Sequence, residues 1–184
     1  MKITEKYVFF WNGIYSQWHP STFIVDEYEY NTAEKFMMHQ KALFFDDEET
    51  AAQIMRTDRP DEQKALGRQV KNFNSDRWQK VCLGIVYKGN YAKFTQNEDF
   101  KKELMETGDR IIVEASPYDQ IWGIGMGESE QGIEDPKNWK GQNLLGWAIM
   151  MVKGLPWAFG CGFFWALVKP QALSRRATFF RLTW

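Results

Sequence analysis

The chain has 184 residues, with 23 basic and 24 acidic side chains for a net charge of −1 and a charged fraction of 26%. That length suits one domain able to bury a core without cross-links, and the near-neutral balance carries no bias toward polyanions. Aromatic residues reach 16%, with nine Trp, enough to line a stacking site for a planar ligand as well as a core.

Taken in order, residues 6–11 (KYVFFW) form a short aromatic strand candidate, and Asn12-Gly13 is a turn signal. Residues 15–20 read as a loop with two aromatics. Residues 21–30 (STFIVDEYEY) alternate in part and read as a strand or hairpin. Residues 31–45 (NTAEKFMMHQKALFF) follow as a helix, with Thr32 or Asn31 as N-cap and neither Gly nor Pro inside. Phe36, Met37, Gln40, Leu43 and Phe44 recur at helical spacing and predict its core face. Glu34 and Lys41 lie two turns apart on nearly one line, with Met38 between them. An acid in a first turn ordinarily complements the helix dipole in solvent, so Glu34 beside Met and aromatic side chains is a departure.

A second helix covers residues 47–57, with acids first and Arg56 last. Pro60 suits the first position of a third helix over residues 61–70. Ser75 or Asn74 caps a long helix over residues 76–94, whose buried stripe is Trp78, Cys82, Ile85, Val86 and Gly89. Asn97 caps a short helix through Glu106 that Gly108 stops. Residues 110–115 (RIIVEA) form a strand candidate leading into Pro117, Asp119, Trp122 and a glycine run, GIGMG. Residues 132–140 are polar loop, and Asn143 caps a helix from Leu144 to about Lys153.

Charge is spread unevenly. Residues 154–184 contain no Asp or Glu and four basic residues, which leaves 19 basic against 24 acidic residues in the first 153. We therefore expect a main domain at residues 1–153 and an apolar, basic tail at 154–184. Residues 154–168 are uncharged but shorter than the roughly twenty residues of a spanning helix. The tail could be a hydrophobic appendage, an interfacial segment or a terminus unrelated to the domain before it; the last is our expectation. No membrane association is expected of the domain.

Cys82 and Cys161 lack a CxxC pattern, and His19 and His39 lack metal-ligand spacing, so neither a metal nor a cofactor is expected. The first ten residues carry charges where a signal peptide has an apolar run, and a reducing, cytoplasmic setting is the expectation. Polar groups fall beside aromatics in three stretches: Glu34 with Lys41; Arg68 and Lys71 before Trp78; and Asp119 before Trp122, Gly123 and Gly125. The glycine run is not a P-loop and reads either as a phosphate cradle or as an ordinary loop. Asp119 has a turn-residue reading of its own. Two carboxylates, two tryptophans and basic groups are nevertheless the parts needed to hold a base joined to a phosphorylated sugar, and a carboxylate pair can cleave the bond between them.

The order of motifs resembles the NADAR (YbiA-like) family. The matching pieces are SQWHP at 16–20, NTAEKFMMHQKA at 31–42, LGR at 66–68, Lys71, Arg77-Trp78, Lys93-Phe94, VEASPYDQIWGIG at 113–125 and GQNLLG at 141–146. The resemblance implies an α+β, helix-rich single domain with a small antiparallel sheet and hydrolysis of an N-glycosidic bond without a cofactor. Two substrates are implied: ADP-ribose on guanine, as nucleoside or in nucleic acid, or ribosylamino-pyrimidine phosphates of riboflavin biosynthesis. The first is favoured, and implies functional pairing with an ADP-ribosyltransferase. A silent ADP-ribose or nucleotide reader and a membrane protein acting through its tail are rival readings. The family's glutamate falls on Glu34, its aspartate on Asp119, its tryptophans on Trp78 and Trp122, and its helix lysine on Lys41. Glu34, Asp119 and Lys41 are the expected catalytic set, with Lys41 open between charge partner, phosphate contact and nucleophile, and Trp78, Trp122, Arg68, Lys71, Gly123, Gly125 and Asn143 are the expected substrate-binding set. Lys35 stands where many relatives have His, and Met38 where some have Gln.

Overall fold

A computed structural model describes residues 1–154. The expected tail therefore lies outside the described residues, apart from Gly154. The described chain is helix-rich α+β. Its strands are β1 (Lys2–Ile3), β2 (Tyr7–Phe10), β3 (Phe23–Val25), β4 (Tyr28–Tyr30) and β5 (Ile111–Glu114). Its helices are α1 (Ala33–Phe44), α2 (Glu48–Arg56), α3 (Pro60–Arg68), α4 (Ser75–Gln79), α5 (Cys82–Gln96), α6 (Glu98–Glu106) and α7 (Leu144–Val152).

One sheet has the order β1-β2-β5, and a separate hairpin pairs β3 with β4. β1–β2 and β3–β4 are antiparallel, but β2–β5 is parallel, in the register Val8↔Ile112 and Phe10↔Glu114. The larger sheet is thus mixed. A parallel pair needs a long crossover, and here the crossover holds six helices. Both faces of β2 are buried. Val8, Phe10 and Ile112 face the helical core with Leu145, Ala148 and Ile149 of α7. Tyr7, Phe9 and Val113 face a second cluster with Ile124, Met126 and Ile133.

The β3–β4 turn places Asp26 and Glu27 both at positive φ (50° and 70°), the geometry of the tight turn that matches strand twist. Phe23, Val25 and Tyr30 then pack on Phe36 of α1. α1 is the central helix, in contact with α2, α3 and α5. Ala33 through His39 are all buried, so the expected one-sided face understates its burial. Leu43, expected in the core, is exposed where the helix emerges from its neighbours.

The helix expected over residues 76–94 is two helices. The Val81 N–H donates to Trp78 O, an i→i−3 bond that tightens the end of α4 before α5 begins at Cys82. Asn74, not Ser75, caps α4 by accepting from the Arg77 N–H. The expected N-cap Asn97 makes no side-chain cap bond; its amide donates to Thr22 O and Lys93 O.

Candidate active site

Thr32 fixes the start of α1. Its Oγ1 accepts from the Lys35 N–H at 3.0 Å and its hydroxyl donates to Gln63 Oε1 at 2.8 Å. The loop before the hairpin closes over this end. The Glu34 N–H donates to Gln17 O at 3.0 Å. α5 holds that loop in turn, through Asn90 Nδ2 to Gln17 Oε1 and Lys93 Nζ to Ser16 O.

These bonds hold the Glu34 side chain under cover, 3% exposed. Its Oε1 has no hydrogen-bond partner among the described residues. Burial pushes the Glu34 carboxyl up to about 7, and the nearby Asp119 charge adds to that. Lys64, the Trp18 side chain donating to the carboxyl, and Arg68 pull the other way. An acid kept buried with an unmet oxygen costs stability, and such groups cluster at functional sites.

Asp119 sits in the turn after β5. Its Oδ1 accepts from the backbone N–H of Ile121 and of Trp122, both at 2.8 Å, and its own N–H donates to Ser116 Oγ. The turn reading of Asp119 and its place beside Glu34 therefore hold together: the turn is what aims it. Trp122 is half-buried against the helical core, and its carbonyl accepts from the Leu145 N–H at the start of α7.

Lys41 stands within electrostatic reach of Glu34 and Arg68. Its Nζ donates to Gly67 O at 2.7 Å and stands over the rings of Phe73 (4.1 Å) and Trp78 (5.9 Å). Burial, then Arg68, lowers its pKa, while Glu34 raises it. Gly67 is a packing requirement here, since a Cβ would meet Met38 Sδ at 1.9 Å.

The structure thus brings Glu34, Asp119, Lys41 and Arg68 into one electrostatic neighbourhood, with Trp78 beside Lys41 and the Trp122 backbone bonded to Asp119. Four members of the expected set, Lys71, Asn143, Gly123 and Gly125, make other contacts. Lys71 pairs with Glu49 at 2.7 Å on the surface. The Asn143 amide bridges β5: Nδ2 donates to Ile112 O and Oδ1 accepts from the Glu114 N–H, both at 2.9 Å. Asn143 stands at the N-cap position of α7 but in the left-handed region, with no side-chain cap bond. The glycine run is a tight junction. A Cβ on Gly123 would meet Glu114 O at 2.9 Å and Asp119 O at 3.0 Å, and the Gly125 N–H donates to Asp119 O. The amides of Ile124 and Gly127 are likewise bonded internally, to Glu114 O and Glu130 Oε1, so this run is a brace for Asp119.

Sequence reasoning did not single out Glu114, Lys64 or Trp18. Glu114 ends β5 on the face of Ile112, opposite Phe10, and so points into the helical layer. Burial raises its carboxyl to about 8, reinforced by Asp119 and Glu34 and opposed by Lys64. Strand alternation from Ile112 was the available signal for it. Lys64 stands four residues before Arg68 on α3, its Nζ 5.6 Å from the Trp18 ring. Helical spacing from Arg68 could have marked it.

A helix-rich α+β domain that buries a carboxyl near a second acid and several cations has the arrangement of a small hydrolase. The chain belongs to the NADAR domain family, whose model matches residues 9–155. It is similar to N-glycosidase R617 of Acanthamoeba polyphaga mimivirus, 44% identical over 166 residues that cover 82% of this chain and 96% of that protein. N-glycosidase Npun_R5314 of Nostoc punctiforme is 28% identical over 142 residues, 77% of this chain and 83% of that one. The solution structure of E. coli YbiA matches with a TM-score of 0.68 at 24% identity, covering 83% and 86% of the two chains, a likeness of fold. Among the described residues, no helix is long and apolar enough to cross a membrane.

Proposed function

We propose that this protein is an N-glycosidase that releases a base from a phosphorylated ribose, with ADP-ribose on guanine as its substrate. The observation that carries this reading is Glu34: a buried carboxyl with an unmet oxygen, within electrostatic reach of Asp119. Cleaving a C1′–N bond builds positive charge on the sugar and needs an activated water. One carboxylate beside the ring stabilises the cation, and a second takes the proton of the water. Asp119, fixed at Oδ1 by two backbone N–H groups, is held rigidly enough to face the sugar. Glu34, titrating near 7, sits where a base operating at neutral pH is most effective.

Lys64, Arg68 and Lys41 supply the positive rim for phosphate. Trp122 and Trp78 are the side chains assigned to stack on the base or shape the sugar site. Trp18 is 44% exposed beside Glu34, and an indole open to solvent at that point is useful to a substrate with a second base. That feature supports ADP-ribose over a single ribose phosphate and gives functional pairing with an ADP-ribosyltransferase a chemical basis. The test is to incubate the protein separately with ADP-ribosylated guanosine and with a ribosylamino-pyrimidine phosphate and to follow base release by chromatography. The reading requires faster release from the first. Tight binding of ADP-ribose with no release from either would instead make this chain a reader.

A further inference from the structure

Of the three neighbouring carboxyls, Glu34, Asp119 and Glu114, the last is the one without an assigned part. Its backbone is locked on both sides: its N–H donates to Asn143 Oδ1, and its carbonyl accepts from the Ile124 N–H at 3.0 Å. Gly123 lets the strand end and the Asp119 turn close on each other. The side chain leaves this brace on the helix-facing side of β5, and its Oε2 is buried with no hydrogen-bond partner among the described residues. A buried carboxyl oxygen without a donor is a costly feature to hold so firmly in a purely structural role.

The three acids are not equivalent. Asp119 accepts two N–H donors at Oδ1. Glu34 is opposed by two cations, Lys64 and Arg68, and receives a bond from Trp18. Glu114 is faced by Asp119 from the turn, Glu34 from α1 and Lys64 from α3, so two acids and one cation surround it. It therefore keeps its proton to higher pH than Glu34, about 8 against about 7.

Resting on the N-glycosidase reading above, we propose that Glu114 is a third catalytic carboxyl, the one that hands a proton to the departing base. As the C1′–N bond breaks, its electron pair goes to the base nitrogen, which takes the Glu114 proton and leaves a carboxylate. Water adds through oxygen to C1′ and gives its proton to the Glu34 carboxylate. Transfer of that proton from Glu34 to Glu114 resets the pair. The net change is one water consumed, one N–H and one C1′–OH formed.

The experiment compares two leaving groups on the full chain: ADP-ribosylated guanosine, and ADP-ribose joined at C1″ to 4-nitrophenol, which departs without a proton. E114Q is expected to lower kcat/KM roughly 100- to 1,000-fold on the guanine substrate and under threefold on the nitrophenyl one. E34Q is expected to lower both. E114D, which keeps an ionisable group, is expected to recover part of the guanine activity, and thermal melting confirms that each variant is folded. The wild-type rate on guanine should fall above about pH 8, a limb that E114Q lacks. Equal losses by E114Q on the two substrates, or full activity on guanine, overturns the assignment while leaving the enzyme reading standing. If the wild type hydrolyses the nitrophenyl substrate but no base-linked one, both this proposal and the substrate reading fall.

Discussion

Replacing Glu34 by Gln removes a buried titration, and the consequence for stability can be worked out. The folded carboxyl titrates near 7 against 4.5 in the unfolded chain. A carboxyl raised in this way contributes fully below 4.5 and loses that contribution as pH rises through 7, because the unfolded state ionises more easily. The full difference of about 2.5 pH units corresponds to about 3 kcal/mol. About 1 kcal/mol of this is already felt at pH 5, so about 2 to 3 kcal/mol remains to develop by pH 8.5. Gln carries no such titration. Its own unmet amide hydrogen bonds cost the same at both pH values, so they cancel in the comparison. Urea denaturation of wild type and E34Q at pH 5 and pH 8.5 reads the effect. Relative to wild type, E34Q should gain about 2 to 3 kcal/mol between the two conditions, a swing of roughly 5–10 °C in Tm for a chain of this size. A stability difference independent of pH would refute the claim that Glu34 is held in an environment hostile to its charge.

Asn143→Ala removes two 2.9 Å bonds to β5, strands the Glu114 N–H and the Ile112 carbonyl, and leaves an alanine in the left-handed region. A loss of about 2 to 4 kcal/mol is expected by denaturant titration, together with reduced base release as Glu114 shifts. Lys93 is fully buried and its amine is pushed down to about 7, so the unfolded chain binds more protons than the folded one between about pH 7 and 10.5 and wild-type stability rises across that window. The stability of Lys93→Met relative to wild type should therefore be greatest near pH 7 and decline toward pH 10, and a flat difference would contradict this. Lys41→Ala should lower kcat/KM at least about 100-fold with the fold intact by circular dichroism. Lys41→Arg, which keeps the positive charge that the rim offers to phosphate, should recover part of the activity, and no recovery would contradict the phosphate role.

Local chemistry made much of this fold legible. Thr32 caps α1 as expected, Pro60 opens α3, Gly108 ends α6 at positive φ, and residues 21–30 fold as a hairpin. Features set by partners distant in sequence were not legible. No Gly or Pro marks the break at Lys80–Val81. The parallel pairing of β2 with β5 depends on the register of segments about a hundred residues apart. Asn143 had the composition of a cap, but the carbonyl and N–H of β5 claimed its amide. The glycine run looked like a phosphate cradle because its amides could face an anion, yet Glu114, Asp119 and Glu130 take them inside the protein. In the site, Glu34 and Asp119 came from motif order and not from helix pattern. Glu114 carries no such mark, since a strand-end glutamate next to a turn normally points to solvent.

The most direct measurement is base release from ADP-ribosylated guanosine by the wild type, E34Q and D119N, quantified by chromatography under single-turnover conditions. The acids act on the breaking bond in this account, so the wild type should liberate guanosine and ADP-ribose, and each variant should fall by at least about 100-fold while still binding ADP-ribose. Wild-type rates retained in both folded variants would contradict it.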